Sequence, residues 1–84
     1  MEKKEFIKEL VREINEEIRE ADDVTYINEY DNFVDNGVDS INFIKIIIFI
    51  ETKYSIEVED EFLTLEKLSN IVDIADYLWD KINE

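Results

Sequence analysis

Residues 35–50 read DNGVDSINFIKIIIFI, a turn-forming run that leads directly into the most hydrophobic segment of the chain. Asp39 and Ser40 stand immediately before that segment. Small side chains with an oxygen atom are favoured there because they accept hydrogen bonds from the free amides of a helix's first turn. The isoleucines individually favour strands, but the length of the apolar run and the cap before it favour a helix. We therefore predict a helix from Asp39-Ser40 to about Tyr54.

Amphipathic patterns lie on both sides of this central helix. From residue 3 to residue 20, and again after Ser69, apolar residues recur every three or four positions, which is typical of a helix with one buried face. We also predict that Ser69 caps the last helix and that Thr64 to Leu68 forms a short helical turn. The apolar positions are Phe6, Ile7, Leu10, Val11, Ile14 and Ile18 in the first helix and Ile71, Ile74, Ala75, Leu78 and Ile82 in the last.

The sum of these elements is an all-α fold, a small bundle of three main helices plus one short helix. The 84 residues have room for one core, so we expect residues 1–84 to form a single domain. The connection over residues 21–39 is acidic but also carries several apolar side chains, so we expect it to wrap around the core, although alternation of apolar residues every second position in it could also indicate short strands. These side chains are Val24, Tyr26, Ile27, Phe33, Val34 and Val38.

Acidic residues dominate the charge of the chain, with 23 acids against nine bases and a net charge of −14. This charge argues against nucleic acid as a partner, favours partners with basic surfaces, and disfavours self-association, so we expect a monomer. Residues 40–54 are the exception, because Lys45 and Lys53 outnumber Glu51. The apolar run is too short to span a bilayer, and no secretory stretch follows Met1. We therefore expect a cytoplasmic protein without membrane insertion.

Ser40 is the best candidate for covalent chemistry, because the chain contains neither histidine nor cysteine. One interpretation is an attachment point, since a phosphate on a serine at a helix N-terminus lies beside free amides and the positive end of the helix dipole. The other interpretation is structural, with Ser40 as a helix cap and Gly37 as a turn residue. Serines commonly cap helices, so the spacing alone favours the structural interpretation without excluding the first.

Two other chemistries do not fit the residues around Ser40. A calcium loop with Gly37 at its sixth position would need oxygen ligands where the chain has Val34 and Phe43. A hydrolytic Ser40 would need a general base, and Lys45, five residues further along the helix, would not lie beside it. We therefore predict no metal site, no catalytic residues and no enzymatic activity of the chain alone.

The apolar residues of the central helix cover more than one of its faces. One explanation is a helix that is buried on several sides. The other is that some of these residues, Ile41 and Ile48 especially, stay at the surface for a partner to contact. The sequence pattern does not decide between the two.

Taken together, these residues resemble the acyl carrier protein family, which includes peptidyl and aminoacyl carriers. Motif, length, acidity and helix order together make the resemblance specific, and they favour the attachment interpretation of Ser40. The resemblance covers most of the chain: an amphipathic first helix, an acidic loop with Phe33, the run Asp35-Asn36-Gly37-Val38-Asp39-Ser40-Ile41, an apolar helix ending near Glu51-Thr52-Lys53-Tyr54, the stretch Ile56-Glu57-Val58-Glu59-Asp60, and a last helix with Ile74-Ala75-Asp76-Tyr77-Leu78.

The resemblance implies that a separate phosphopantetheinyl transferase moves 4′-phosphopantetheine from coenzyme A onto Ser40. Gly37 and Asp39 belong to the same attachment motif. The thiol of the arm would carry acyl or aminoacyl groups as thioesters between loading and condensing enzymes with basic and apolar docking surfaces. The residues at partner-binding positions are Asp35, Ile41, Asn42, Lys45 and Ile48.

Two departures from the family pattern bear on the pathway. Asn42 and Lys45 stand at positions that match acids in carriers of fatty-acid synthesis, and the stretch 63–69 is slightly longer than its counterpart there. The stretch is similar to freestanding carriers of polyketide or nonribosomal peptide pathways, which we favour over fatty-acid synthesis. The alternative function is an unmodified acidic helical module that binds a basic partner, with Ser40 serving only as a cap.

Overall fold

The computed structural model describes residues 2–19 and 26–83 of the chain. This part forms three α-helices, α1 (Lys3–Ile18), α2 (Ser40–Tyr54) and α3 (Ile71–Ile82), and two single-turn 3₁₀ helices at Val34–Asn36 and Asp60–Phe62. The described residues contain no strand. The predicted all-α bundle is confirmed. No helix in this part of the chain is both long enough and apolar enough to cross a membrane.

Helix α1 packs against both of the other α-helices and so holds the bundle together. Its buried stripe follows the predicted spacing, and the ring of Phe6 lies 5.7 Å from that of Tyr54 and 5.5 Å from that of Trp79, measured between centroids. The helix ends at Ile18, and the predicted end at Glu20 lies outside the described residues. Its buried apolar residues are Phe6, Leu10, Ile14 and Ile18.

Helix α2 has the bounds that the sequence predicts. It starts directly after Asp39 and ends at Tyr54, where Ser55 adopts a left-handed conformation with φ 54° and donates its backbone N–H to the carbonyl of Glu51. One face of the helix is fully enclosed, because α1 and the connecting segments cover it. The buried residues of this face are Phe43, Ile46, Ile47 and Ile50.

The start of α3 corrects one prediction. Asn70, and not Ser69, caps this helix, because the Asn70 side chain accepts the backbone N–H of Asp73 at 2.8 Å. Ser69 is instead bound by the helix: its backbone N–H and its hydroxyl both donate to the carboxylate of Asp73, at 3.0 and 2.8 Å. In the sequence, a serine one residue before the cap is easily mistaken for the cap. A cap side chain accepts a backbone N–H, whereas Ser69 donates both of its hydrogen bonds.

The segment from Thr64 to Leu68 forms one hydrogen-bonded turn that does not continue into a helix. The backbone N–H of Leu68 donates to the carbonyl of Thr64 at 3.0 Å, and that of Lys67 donates to the Thr64 hydroxyl at 3.2 Å. Leu68 is buried in the core. The short helices of the fold lie at 34–36 and 60–62 instead.

The connection before α2 is held against the bundle by its backbone as well as by its side chains. Phe33 donates its backbone N–H to the carbonyl of Ser69 at 2.8 Å. Asn15 of α1 exchanges two hydrogen bonds with the backbone of Ile27, at 2.7 and 2.8 Å.

The expectation that the apolar residues of this connection pack on the core is confirmed for Ile27, Phe33 and Val38, which are buried. It is wrong for Tyr26 and Val34, whose side chains are exposed. These two adjoin buried residues in the sequence, and a backbone that is hydrogen-bonded to the bundle turns only some of its side chains inward. Val24 lies outside the described residues.

Candidate functional site

The turn in front of α2 is built from local hydrogen bonds. The Asn32 side chain accepts the backbone N–H of Asp35 at 3.0 Å, and the carbonyl of Phe33 accepts the backbone N–H groups of Asn36 and Val38 at 3.1 and 2.9 Å. Gly37 ends the 3₁₀ helix in the left-handed region, with φ 88° and ψ 8°. A residue with a Cβ atom is disfavoured in that conformation, which gives the single glycine of the chain a structural reason.

Asp39 performs the capping of α2. Its carboxylate accepts the backbone N–H of Asn42 at 2.9 Å, and its carbonyl accepts that of Phe43 at the same distance. Ser40 is the first residue of the helix proper, and it is exposed. Within the part of the chain that the structure describes, its hydroxyl makes no hydrogen bond. The structural interpretation of Ser40 as the cap is therefore wrong, because the preceding aspartate already fills that role.

This arrangement suits a phosphate ester on Ser40. The amides of Ser40 and Ile41 precede the first intrahelical hydrogen bond, so they have no acceptor inside the helix and point toward an anion at its N-terminus. The hydroxyl is free to form a bond. A phosphodiester would fit these residues. Among residues 2–19 and 26–83, no group of His, Cys, Asp or Glu side chains is arranged to hold a metal ion.

A cleft opens beside Ser40, between α2 and the segment after the second 3₁₀ helix. Its volume is about 340 Å³, and Ser40 lies among the residues that line it. A second cleft of about 240 Å³ continues along α2 to Ile48 and Glu51. The two share Phe43, Ile44 and Leu63, so they form one groove along the helix, which we call the α2 groove.

The structure places four of the five predicted partner-binding residues at the surface. Ile41 and Ile48 are 69% and 57% exposed, Asp35 and Lys45 are exposed, and Asn42 is half-buried. The question of whether α2 is buried on several sides is thereby settled, since it keeps an apolar strip in contact with solvent.

Ile44 belongs to the same strip and was missed by the sequence reasoning. It is 55% exposed and lines both parts of the α2 groove. The signal was present, because residue 44 lies three positions after Ile41 and four before Ile48, which puts all three on one helix face.

An ion pair joins α3 to the segment that leads into the groove. Lys81 of α3 binds the Glu59 carboxylate at 2.8 Å, and this hydrogen bond holds the pKa of Glu59 below its ordinary value. The Glu59 backbone N–H also donates to the Tyr77 hydroxyl at 3.1 Å. Both contacts tie the residue before the 3₁₀ helix Asp60–Phe62 to α3, and that short helix leads into Leu63 of the groove.

Comparison with known proteins identifies the family. Residues 5–78 match the model of the family described as "Phosphopantetheine attachment site". The chain belongs to this family. The match extends from α1 to α3, so it includes the turn, Ser40 and the α2 groove. The resemblance inferred from the sequence is confirmed. Members of the family carry a covalently attached 4′-phosphopantetheine group, and acyl carrier proteins are carriers and not enzymes.

A curated relative agrees with this assignment. The chain is 46% identical over 44 residues to the protein named "Acyl carrier protein" of Phytoplasma mali (strain AT). The aligned segment is 52% of this chain and 50% of that protein, so the match spans about half of each. No solved structure matches the chain significantly.

Proposed function

We propose that this chain is a discrete carrier protein that is modified at Ser40. The observation that carries the proposal is the exposed Ser40 hydroxyl, which makes no hydrogen bond within the described residues and stands at the first position of α2. A serine with a structural role at the start of a helix would accept a backbone N–H of the first turn as the cap. This one does not, since Asp39 caps the helix in its place.

The proposed modification is a phosphoryl transfer from coenzyme A. The Ser40 oxygen forms a new bond to the phosphorus that bears the pantetheine arm, the pyrophosphate bond of coenzyme A breaks, and the adenosine bisphosphate part leaves. The proton of the hydroxyl passes to a base on the transferase, because the chain itself has no histidine. The chain supplies the exposed hydroxyl, and the first amides of α2 stabilise the negative charge of the resulting phosphodiester.

The cargo then travels as a thioester on the thiol of the arm, between the enzymes that load and condense acyl or aminoacyl groups. The α2 groove has apolar walls formed by Phe43, Ile44, Leu63 and Leu65. These walls favour an apolar acyl group as cargo, because such a group would lose contact with water in the groove. Because the transferase uses coenzyme A, we expect the carrier to work in the cytoplasm, as a single domain and a monomer.

The pathway we favour is a specialised polyketide or nonribosomal peptide synthesis, with fatty-acid synthesis as the alternative. Asn42 and Lys45 support this choice, because they leave the exposed face of α2 without an acidic residue between positions 41 and 48. Partners that recognise the attachment site itself still meet Asp35 and Asp39, both exposed beside Ser40.

Intact-mass measurement tests the attachment directly. Coenzyme A and a broad-specificity phosphopantetheinyl transferase should raise the mass of the chain by one phosphopantetheine group. Ser40→Ala should abolish the gain, while Ser69→Ala, the matched control at the start of α3, should retain it. Circular dichroism should show the same helical content in all three proteins.

Two outcomes would contradict the proposal. A mass gain that persists in Ser40→Ala would place the attachment elsewhere. A folded wild-type chain that gains no mass would favour the alternative, an unmodified acidic module that binds a basic partner through the charged surface of the bundle.

A further inference from the structure

Lys45 occupies an unusual place for a charged residue of this protein. It lies on the exposed face of α2, where its neighbours three and four positions away are Ile41, Asn42, Ile48 and Phe49, all uncharged. The rest of the surface is strongly acidic, with 23 acids against nine bases in the chain. A lysine in such a chain has many possible ion-pair partners, and yet this one stands inside an apolar strip.

No carboxylate of the described residues forms an ion pair with Lys45, whereas three other lysines are paired. Lys3 binds Asp76 at 2.6 Å, Lys81 binds Glu59 at 2.8 Å, and Lys53 binds the buried carboxylate of Glu13. Water solvates the Lys45 ammonium group while the face is open. Once a partner covers the surrounding isoleucines, the ammonium group loses that water and needs an anion, because an unpaired buried charge is costly.

We propose that the enzyme which docks on this face of α2 presents an acidic side chain opposite Lys45, within an apolar surface that covers Ile41, Ile44 and Ile48. This proposal rests on the proposed carrier function and specifies its partner.

Lys45 is accordingly a specificity-determining residue. Its charge repels a partner that is basic at the contact and attracts one that is acidic there, and such like-charge contacts are an efficient way to exclude a wrong partner. The apolar strip supplies the contact area, and the charge of Lys45 determines which apolar surfaces bind to it.

Two synthetic helical peptides test the proposal. Both carry the same apolar stripe with a lysine at each end, and they differ only at the central position of the stripe, which is Glu in one and Lys in the other. Binding to the phosphopantetheine-loaded chain is followed by amide NMR shifts at about 0.15 M salt, where the Debye length of about 8 Å suppresses distant charges. The net charge of −14 favours the Lys peptide, so a preference for Glu must come from a local contact.

We expect the Glu peptide to bind about fivefold more tightly, with the largest shifts at Ile41, Ile44 and Ile48. Lys45→Glu should reverse the preference, while Lys8→Glu, which changes an exposed lysine of α1 by the same charge, should leave it unchanged. Equal affinities, a preference for the Lys peptide, a preference that survives Lys45→Glu, or shifts outside α2 would each overturn the proposal. The mass gain at Ser40, measured on the same samples, reports separately on the carrier function.

Discussion

The two faces of α2 are both rich in isoleucine, but their surroundings are opposite. Isoleucine dominates both: Ile46, Ile47 and Ile50 lie in the core, whereas Ile41, Ile44 and Ile48 remain more than half exposed. The first set meets α1 and the connecting segments, and Ile47 also reaches the wall of the α2 groove. Of the second set, Ile44 and Ile48 line the groove. One face therefore stabilises the fold, and the other keeps its isoleucines in contact with solvent.

The two lysines of α2 repeat this contrast. Lys53 reaches the carboxylate of Glu13, a residue of α1 that is only 7% exposed, and its ammonium group also lies 5.5 Å from the centre of the Tyr54 ring. Lys45 meets no acid within the described residues. Lys53 thus links the C-terminal end of α2 to α1, whereas Lys45, nearer the N-terminal end, is exposed and makes no ion pair within the described residues. Position relative to α1 decides which role applies.

Neighbouring isoleucines give the strongest test of the contrast between the faces. Ile47→Ala should lower the free energy of unfolding by about 3 kcal/mol, because it removes buried methyl groups and leaves a cavity in the core. Ile48→Ala, one residue further on, should change it by less than about 0.5 kcal/mol, because its side chain is already in water. Urea denaturation of the two variants measures both values, and equal losses would show that Ile48 belongs to the core.

The two lysines provide the second test. Lys53→Met should cost about 2 kcal/mol, because it leaves the Glu13 carboxylate buried without a counter-charge and one of its oxygens already has no hydrogen-bond partner in the described structure. The cost is below that of a fully buried pair, since Lys53 is partly exposed. Lys45→Met should be nearly neutral. Adding Glu13→Leu to Lys53→Met should recover part of the lost unfolding free energy. If the double variant lost as much as the two single variants together, the two residues would not be coupled and the ion pair would not stabilise the fold.

The third test separates the cap from the attachment point at the start of α2. Asp39→Ala should destabilise the fold by about 1 kcal/mol, the usual cost of losing an N-cap side chain. Ser40→Ala should stay within about 0.5 kcal/mol of wild type, because alanine is well tolerated in a first turn whose cap is intact. Thermal unfolding of the unmodified proteins checks the order. A larger loss in Ser40→Ala than in Asp39→Ala would return the capping role to Ser40.

The smallest effect concerns the exposed ion pair of Lys81 and Glu59. It is intermediate between Lys53, which binds a buried acid, and Lys45, which has no ion pair within the described residues. The pKa of Glu59 is lowered in the folded protein, so the ionised carboxylate favours folding above its unfolded pKa, and this contribution disappears as the pH falls through the lowered value. Lys81→Met should raise the pKa of Glu59 toward its ordinary value of 4.5, while Lys8→Met should not change it. A carboxyl NMR titration follows the shift. An unchanged titration in Lys81→Met would show that the pair does not persist in solution.

Much of the fold and of the candidate site could be predicted from the sequence. The bounds of α2, the buried stripe of α1 and the family all follow from local patterns, because helical periodicity and capping chemistry involve residues close together in the chain. The predicted stripe of α3 is also correct except at Ile82, which lies in the last turn and is 48% exposed. The N-caps were assigned to the wrong residue where two neighbouring side chains could both cap the helix. Asp39 and Asn70 proved to be the caps next to Ser40 and Ser69, and only the directions of the hydrogen bonds distinguish them.

The sequence by itself determined that residues 40–54 form a helix and that a serine stands at its start after a turn around the only glycine. Which isoleucines form the core, which form the groove beside Ser40, and which lysine of α2 is paired were decided only by the tertiary structure. The physical reason is that burial and ion pairing depend on residues far apart in the chain. Glu13 and Lys53 are 40 positions apart, and Phe43 and Leu63 share a groove across 20.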